Sequence, residues 1–253
     1  MNNSKIILSV LSLILSFNLY AKDAHHEEKH EEKHEDAKEA KAAPATGHAK
    51  AHERKKGDVP AAKALGILKE GNKRFTSGHF KIEGISASDR KKLVDGQKPH
   101  TIVLSCSDSR VPPEIVFDQK LGDVFVVRTA GESLDSSAIA SIEYAVSHLG
   151  SNLIVVMGHE SCGAVKAALA TLKGGDAGSV WLNKLVADLH PHLKRFSELT
   201  PTDGVLVESW ANVEGVAHDL VERSEIVKGL VESGEVKIQN ALYHLGSGQV
   251  EWR

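Results

Sequence analysis

Three short, unbroken apolar runs decide what this chain can fold into. Thr101-Ile102-Val103-Leu104, Val124-Phe125-Val126-Val127 and Leu153-Ile154-Val155-Val156-Met157 are dominated by β-branched and other large apolar residues and show no polar alternation. A strand with one wet face alternates apolar and polar residues, whereas a strand covered on both faces is apolar throughout. Helical spacing surrounds these runs: Ala61, Leu65, Leu68 and Phe75 up to a stop at Gly78, and a segment over 137–148. Doubly buried strands alternating with helices specify a parallel sheet with helices on its faces. More helices are expected over 164–172, 179–193 and 205–224. Segments 236–243 and 249–252 flank His244-Leu245-Gly246-Ser247-Gly248, a turn-like sequence, and are expected to form an antiparallel edge. The predicted class is α/β: a mainly parallel central β-sheet with an antiparallel edge, flanked by helices. Asp58 is expected to cap the first helix, with Pro60 in its first turn, and Ser88 to cap a second helix reaching Asp95-Gly96.

The chain has two cysteines, and they follow the first and third runs. Cys106 lies in Ser105-Cys106-Ser107-Asp108-Ser109-Arg110, and Cys162 in Gly158-His159-Glu160-Ser161-Cys162-Gly163. By count alone, two cysteines in an exported chain read as a disulfide. Their neighbours point elsewhere. Each cysteine has a second potential ligand two or three residues away, at a strand-to-loop junction where open α/β sheets place their sites. A disulfide has no use for those partners. Thiolates with imidazole and carboxylate suit zinc, whereas calcium and magnesium take oxygen shells. Cys106, His159 and Cys162 are the first candidates, and Asp108 is the fourth.

The 253 residues carry a net charge of −3 and no basic, aromatic-studded stripe, which excludes nucleic acid as a partner. Lys5, the apolar stretch over 6–19 and Ala21 read as a secretory leader over 1–21, too short for a ~20-residue membrane span. The expected destination is the periplasm, with no stable span after cleavage. Residues 22–57 are rich in His, Glu, Lys and Ala without large apolar side chains, so this segment is expected to stay disordered. Its histidines (His25, His26, His30, His34, His48 and His52) leave two readings open, loose metal binding or a polar tether. The catalytic domain is expected over 58–253. His100 and His148 read as hydrogen-bonded structural residues, and His190 and His192, around Pro191, as surface groups.

Cys-x-Asp-x-Arg followed by His-x-x-Cys resembles the β-class carbonic anhydrases. So do Arg110-Val111-Pro112, the run from Gly122 to Arg128, Ile142-Glu143-Tyr144-Ala145-Val146, and Leu68-Lys69-Glu70-Gly71-Asn72-Lys73-Arg74-Phe75. The resemblance implies the family fold, one zinc per subunit, and reversible hydration of carbon dioxide to bicarbonate by zinc-bound hydroxide, in a homodimer or higher even oligomer. It also implies a catalytic dyad, Asp108 with Arg110. Asp108 fits two roles, fourth zinc ligand or partner of Arg110. Gln97 and the Gly163 N–H align with substrate-binding groups. Phe125 and Tyr144 align with an apolar wall partly supplied by a second subunit, although alone they read as core. In the bicarbonate-regulated subset a tryptophan stands three positions before the first cysteine. Val103 stands there instead, so despite Arg128 the chain is similar to the open, plant-like subset, with Asp108 on Arg110 more often than on zinc. Two other readings are compatible with the residues: a carbon disulfide or carbonyl sulfide hydrolase on the same scaffold, and a periplasmic zinc buffer.

Overall fold

The computed structural model describes Arg54, residues 56–81 and residues 83–253. The expected leader and nearly all of the histidine-rich segment lie outside the described residues. No helix among the described residues is long and apolar enough to cross a membrane.

The sheet has five strands: β1 (Thr101–Cys106), β2 (Val124–Thr129), β3 (Leu153–His159), β4 (Lys237–Tyr243) and β5 (Val250–Trp252). Their order is β2-β1-β3-β4-β5, with every pairing parallel except β4 with β5. The unbroken runs are explained by position. Every residue of β1 and β3, at the centre, is buried, whereas β2, on the edge, is mostly half-buried. Register pairs Ser105 with Met157, so the two cysteine-bearing junctions leave the sheet at the same carboxyl end.

The described residues form eight α-helices: α1 (Ala61–Ser77), α2 (Ala87–Lys92), α3 (Pro113–Val116), α4 (Ser136–Tyr144), α5 (Gly163–Thr171), α6 (Val180–Leu193), α7 (Leu206–Arg223) and α8 (Glu225–Glu232). One core packs α4 and α7 under the sheet through Ile102, Leu104, Ile142, Val156, Val213 and Leu220. The other packs α1 through Ala64 and Leu68 against Val103, Val155 and Phe117. Asn72 of α1 holds that face together, donating to the carbonyls of Val116 and Gly248 and accepting from the N–H of Val250.

Several local expectations differ from the structure. Pro60, not Asp58, is the N-cap of α1, because a fixed φ of −60° already suits helix entry; Asp58 pairs loosely with Lys98. Ser86, not Ser88, caps α2, since only Ser86 stands three residues before Asp89 and completes a capping box. The expected helix over 137–148 becomes α4 followed by one wide turn, Ala145–Leu149. The ordered fold also reaches back to Arg54, whose guanidinium donates to Val146 O, Ser151 O and Asn152 Oδ1 at 2.7–2.9 Å.

Candidate metal centre

The carboxyl ends of β1 and β3 deliver the cluster. Cys106 ends β1, His159 ends β3, and Cys162 is the N-cap of α5. Their ligand atoms all lie within 4.8 Å of one another, and all three residues are buried. Between His159 and Cys162 the chain must reverse in two residues. Ser161 takes a left-handed φ of 57°, and its N–H is caught by Gly204 O at 2.6 Å.

His159 shows what the cluster is for. Its Nδ1 lies 2.8 Å from Glu160 O; a carbonyl only accepts, so Nδ1 carries the proton. Nε2 is therefore a bare lone pair, fully buried and without a hydrogen-bond partner. Such an orphan is costly unless a ligand takes it. A soft cation between that nitrogen and two sulfurs fits the donor set.

The sulfurs are already poised as ligands. The neighbouring Cys162 thiol, with help from the Gly131 and Asp108 N–H groups, overcomes burial to pull Cys106 down to about 4. The same pairing, reinforced by burial, pushes Cys162 up.

Asp108 is turned away from the cluster. Arg110 grips it with two parallel bonds, Nε to Oδ1 at 2.9 Å and Nη2 to Oδ2 at 2.6 Å, and the Arg110 backbone N–H adds another to Oδ1. These bonds hold the carboxyl well below the usual carboxylate range. Asp108 Oδ2 remains 3.9 Å from His159 Nε2, so it borders the site without capping it. Arg128 holds the loop from below, donating to the carbonyls of Cys106 and Asp108 at 2.9 and 2.6 Å. Gly163 begins α5 exposed beside Cys162, with nothing within 4 Å of where a Cβ would stand.

The other expected substrate residues are not brought here by the same chain. Gln97 precedes β1, at the amino end of the sheet, beside Gly122 and Asp123. Phe125 pairs with Ile102, four residues before Cys106, or about 13 Å along a strand. Tyr144 packs on Phe125 with ring centroids 6.3 Å apart, and it is 48% exposed.

Sequence reasoning missed two buried polar residues. Glu132, with φ 56°, is wholly buried; burial and then the Cys106 charge push its carboxyl well above the ordinary range. A glutamate in a loop gives no sequence signal of burial. His192 is not a surface group: its side chain is 7% exposed and lies between Asn212 and Asp219. Pro191 lies within α6, inside the helix expected over 179–193.

The carbonic anhydrase family model matches residues 101–250. "Carbonic anhydrase 2" of Mycobacterium tuberculosis is 40% identical over 188 residues, covering 74% of this chain and 89% of the relative. The carbonic anhydrase of Mycolicibacterium smegmatis is 42% identical, covering 74% and 90%. Among solved structures, the Coccomyxa β-carbonic anhydrase with acetazolamide aligns with a TM-score of 0.59 at 27% identity, covering 74% of this chain and 85% of that one. One of two tetrameric β-carbonic anhydrases from Sordaria macrospora aligns at 0.57 and 26% identity, covering 76% and 94%.

Proposed function

This chain belongs to the β-class carbonic anhydrases, and on that premise we propose how its own residues hydrate carbon dioxide. Cys106, His159 and Cys162 hold one zinc per subunit. The observation that carries this reading is the bare, buried Nε2 of His159 facing two sulfurs. Bound there, zinc supplies the Lewis acidity that makes a water nucleophilic near neutral pH.

Arg110 holds Asp108 back from the three ligand residues, so Asp108 would not compete for a metal held by them. Asp108 Oδ2 accepts a hydrogen bond from the attacking water and so turns a lone pair towards the carbon of carbon dioxide. Because Arg110 holds Asp108 well below the usual carboxylate range, it acts as an acceptor and does not store the proton, which passes to buffer. The Gly163 N–H, in the first turn of α5, has no carbonyl partner within the helix and suits the charge that develops on a substrate oxygen.

The site is completed by a second copy. Two identical edge strands related by a two-fold axis must pair antiparallel, and β2 has a free side within the chain. Such pairing sets the amino end of one β2 beside the carboxyl end of the other. Gln97, Phe125 and Tyr144 of the partner subunit would then reach the cluster, which accounts for an exposed tyrosine on this surface.

The comparisons favour neither the carbon disulfide or carbonyl sulfide hydrolase nor the zinc buffer. Export to the periplasm rests on the leader over 1–21, and a mature chain beginning at Lys22 is its test. The enzymatic reading is tested by measuring zinc per subunit together with stopped-flow carbon dioxide hydration. One zinc and rapid hydration are expected for the wild type, and neither for Cys106→Ser. A full zinc equivalent in that variant would sink the ligand set.

A further inference from the structure

A line of buried polar groups runs outward from the cluster between α6 and α7. Asn212 of α7 is fully buried, and its Nδ2 donates to Gly131 O at 2.8 Å and to Glu132 Oε2 at 3.2 Å. Its Oδ1 accepts from His192 Nδ1 at 3.0 Å, and His192 Nε2 meets Asp219 Oδ2 at 3.1 Å. The line ends at a cavity of about 180 Å³ lined in part by Ser133, Asp188, His192 and Asp219. At its inner end, the Gly131 N–H points at Cys106 Sγ, 3.4 Å away.

Two functions suit such a line, a proton path or a strut. An amide in the middle decides between them. Asn212 donates at its nitrogen and accepts at its oxygen, and it cannot pass a proton between the two without leaving its stable tautomer. The turn it holds also needs holding. Gly131 and Glu132 both have left-handed φ, 65° and 56°, and for glutamate that conformation is disfavoured. Leu189 and Ala164 press on Gly131, so close that an added Cβ would meet them at 2.7 and 2.9 Å. Asn212 grips the carbonyl of the first residue and the side chain of the second.

We propose that Asn212, braced by His192, is a positioning residue that aims the Gly131 N–H at the Cys106 sulfur and so sets how strongly that thiolate donates to the metal. The proposal rests on the zinc reading above. A hydrogen bond draws charge off the sulfur, and a thiolate that donates less leaves the metal a stronger acid towards water. Losing the bond should make the sulfur a stronger donor and the activated water less acidic.

Cobalt-substituted enzyme tests this, because thiolate-to-cobalt charge transfer reports the sulfur directly. In Asn212→Leu, which keeps the branched shape and removes both donors, the band should move to longer wavelength. The midpoint of kcat against pH should rise, so that turnover below the midpoint falls about tenfold and returns at higher pH. A merely structural role would lower turnover at every pH and leave the band in place. A folded Asn212→Leu protein with band and midpoint unchanged overturns the proposal. Should that variant not fold, His192→Leu decides by the same two readings: a shift supports the strut, and no shift overturns it. A wild-type cobalt protein without any thiolate band would instead bring down the zinc reading, and this proposal with it.

Discussion

Arg110 and Asp108 form a closed fork: both carboxylate oxygens lie against the guanidinium, at 2.9 and 2.6 Å, while Oδ2 stays 3.9 Å from the lone pair of His159. The carboxylate therefore borders the cluster but is committed elsewhere. Removing the fork releases it. In Arg110→Ala, Asp108 is expected to swing onto the metal and occupy the open position, so zinc content stays at one per subunit while kcat falls ~10²-fold or more. Asp108→Asn should keep zinc and lose turnover for a different reason, the missing acceptor. Metal analysis beside stopped-flow hydration checks both, and wild-type turnover in either variant would make the pair structural only.

The Cys162 thiol lowers the pKa of Cys106 beside it, which favours Cys106 as the thiolate of the pair. A thiolate beside a thiol is the reactive arrangement for oxidation by a disulfide reagent. Chelated enzyme treated with oxidised glutathione should lose activity, as the Cys106 thiolate and Cys162 thiol form a disulfide, passing two electrons and one proton to the reagent, which leaves as two reduced glutathione molecules. Zinc alone should not restore the enzyme, whereas reductant followed by zinc should. The zinc-loaded enzyme should resist the same treatment. Full recovery with zinc and no reductant, measured after equal exposure, would refute the expectation.

Much of this site was legible because its residues answer to strong local constraints. Strands β1 and β3 are buried on both faces, which leaves their apolar runs unbroken, and the ligand types follow at their ends. Direction along the sheet was harder to read. Gln97 precedes β1 and Cys106 ends it, so one chain separates what the resemblance groups together. Helix α3 is a single turn after paired prolines, too short to show a period. Glu132 and His192 were opaque for a deeper reason. Their burial is created by α6 and α7 packing across the loop after β2, and no feature within a few residues of either one records that contact.

Arg54 is the first described residue, and it is anchored to the fold. Its side chain is 10% exposed and spends its guanidinium on Val146 O, Ser151 O and Asn152 Oδ1, with Glu235 at 3.3 Å. Asn152 in turn donates to Gly57 O and Val59 O, tying the entering chain to the sheet. Arg54→Ala removes a charged donor from buried carbonyls and should cost about 2 kcal/mol. A chain beginning at residue 53 should melt like the full protein, and one beginning at 58 should lose as much stability as the substitution. Equal urea midpoints for all of them would show that the anchor contributes nothing.

His100 gives the fold a pH dependence that is separable from the metal. The ring is buried; Gln119 Oε1, an acceptor, lies 3.2 Å from Nε2, and the Thr101 hydroxyl lies 2.8 Å from Nδ1. That arrangement suits a neutral ring with its proton on Nε2. Burial lowers the pKa, against a smaller opposing contribution from Gln119. The unfolded chain takes up its proton near ~6.5, whereas the folded protein resists until lower pH. The contribution of His100 is therefore complete above ~6.5 and is lost as pH falls from there towards the folded value, with a slope of at most about 1.4 kcal/mol per pH unit. Zinc release also destabilises the protein in acid, so the comparison must be with His100→Gln, which keeps the ligands intact. Urea midpoints at pH 7.5, 6.5 and 5.5 should fall less steeply for that variant than for the wild type. Parallel lines for the two proteins would mean that His100 protonates equally well folded and unfolded.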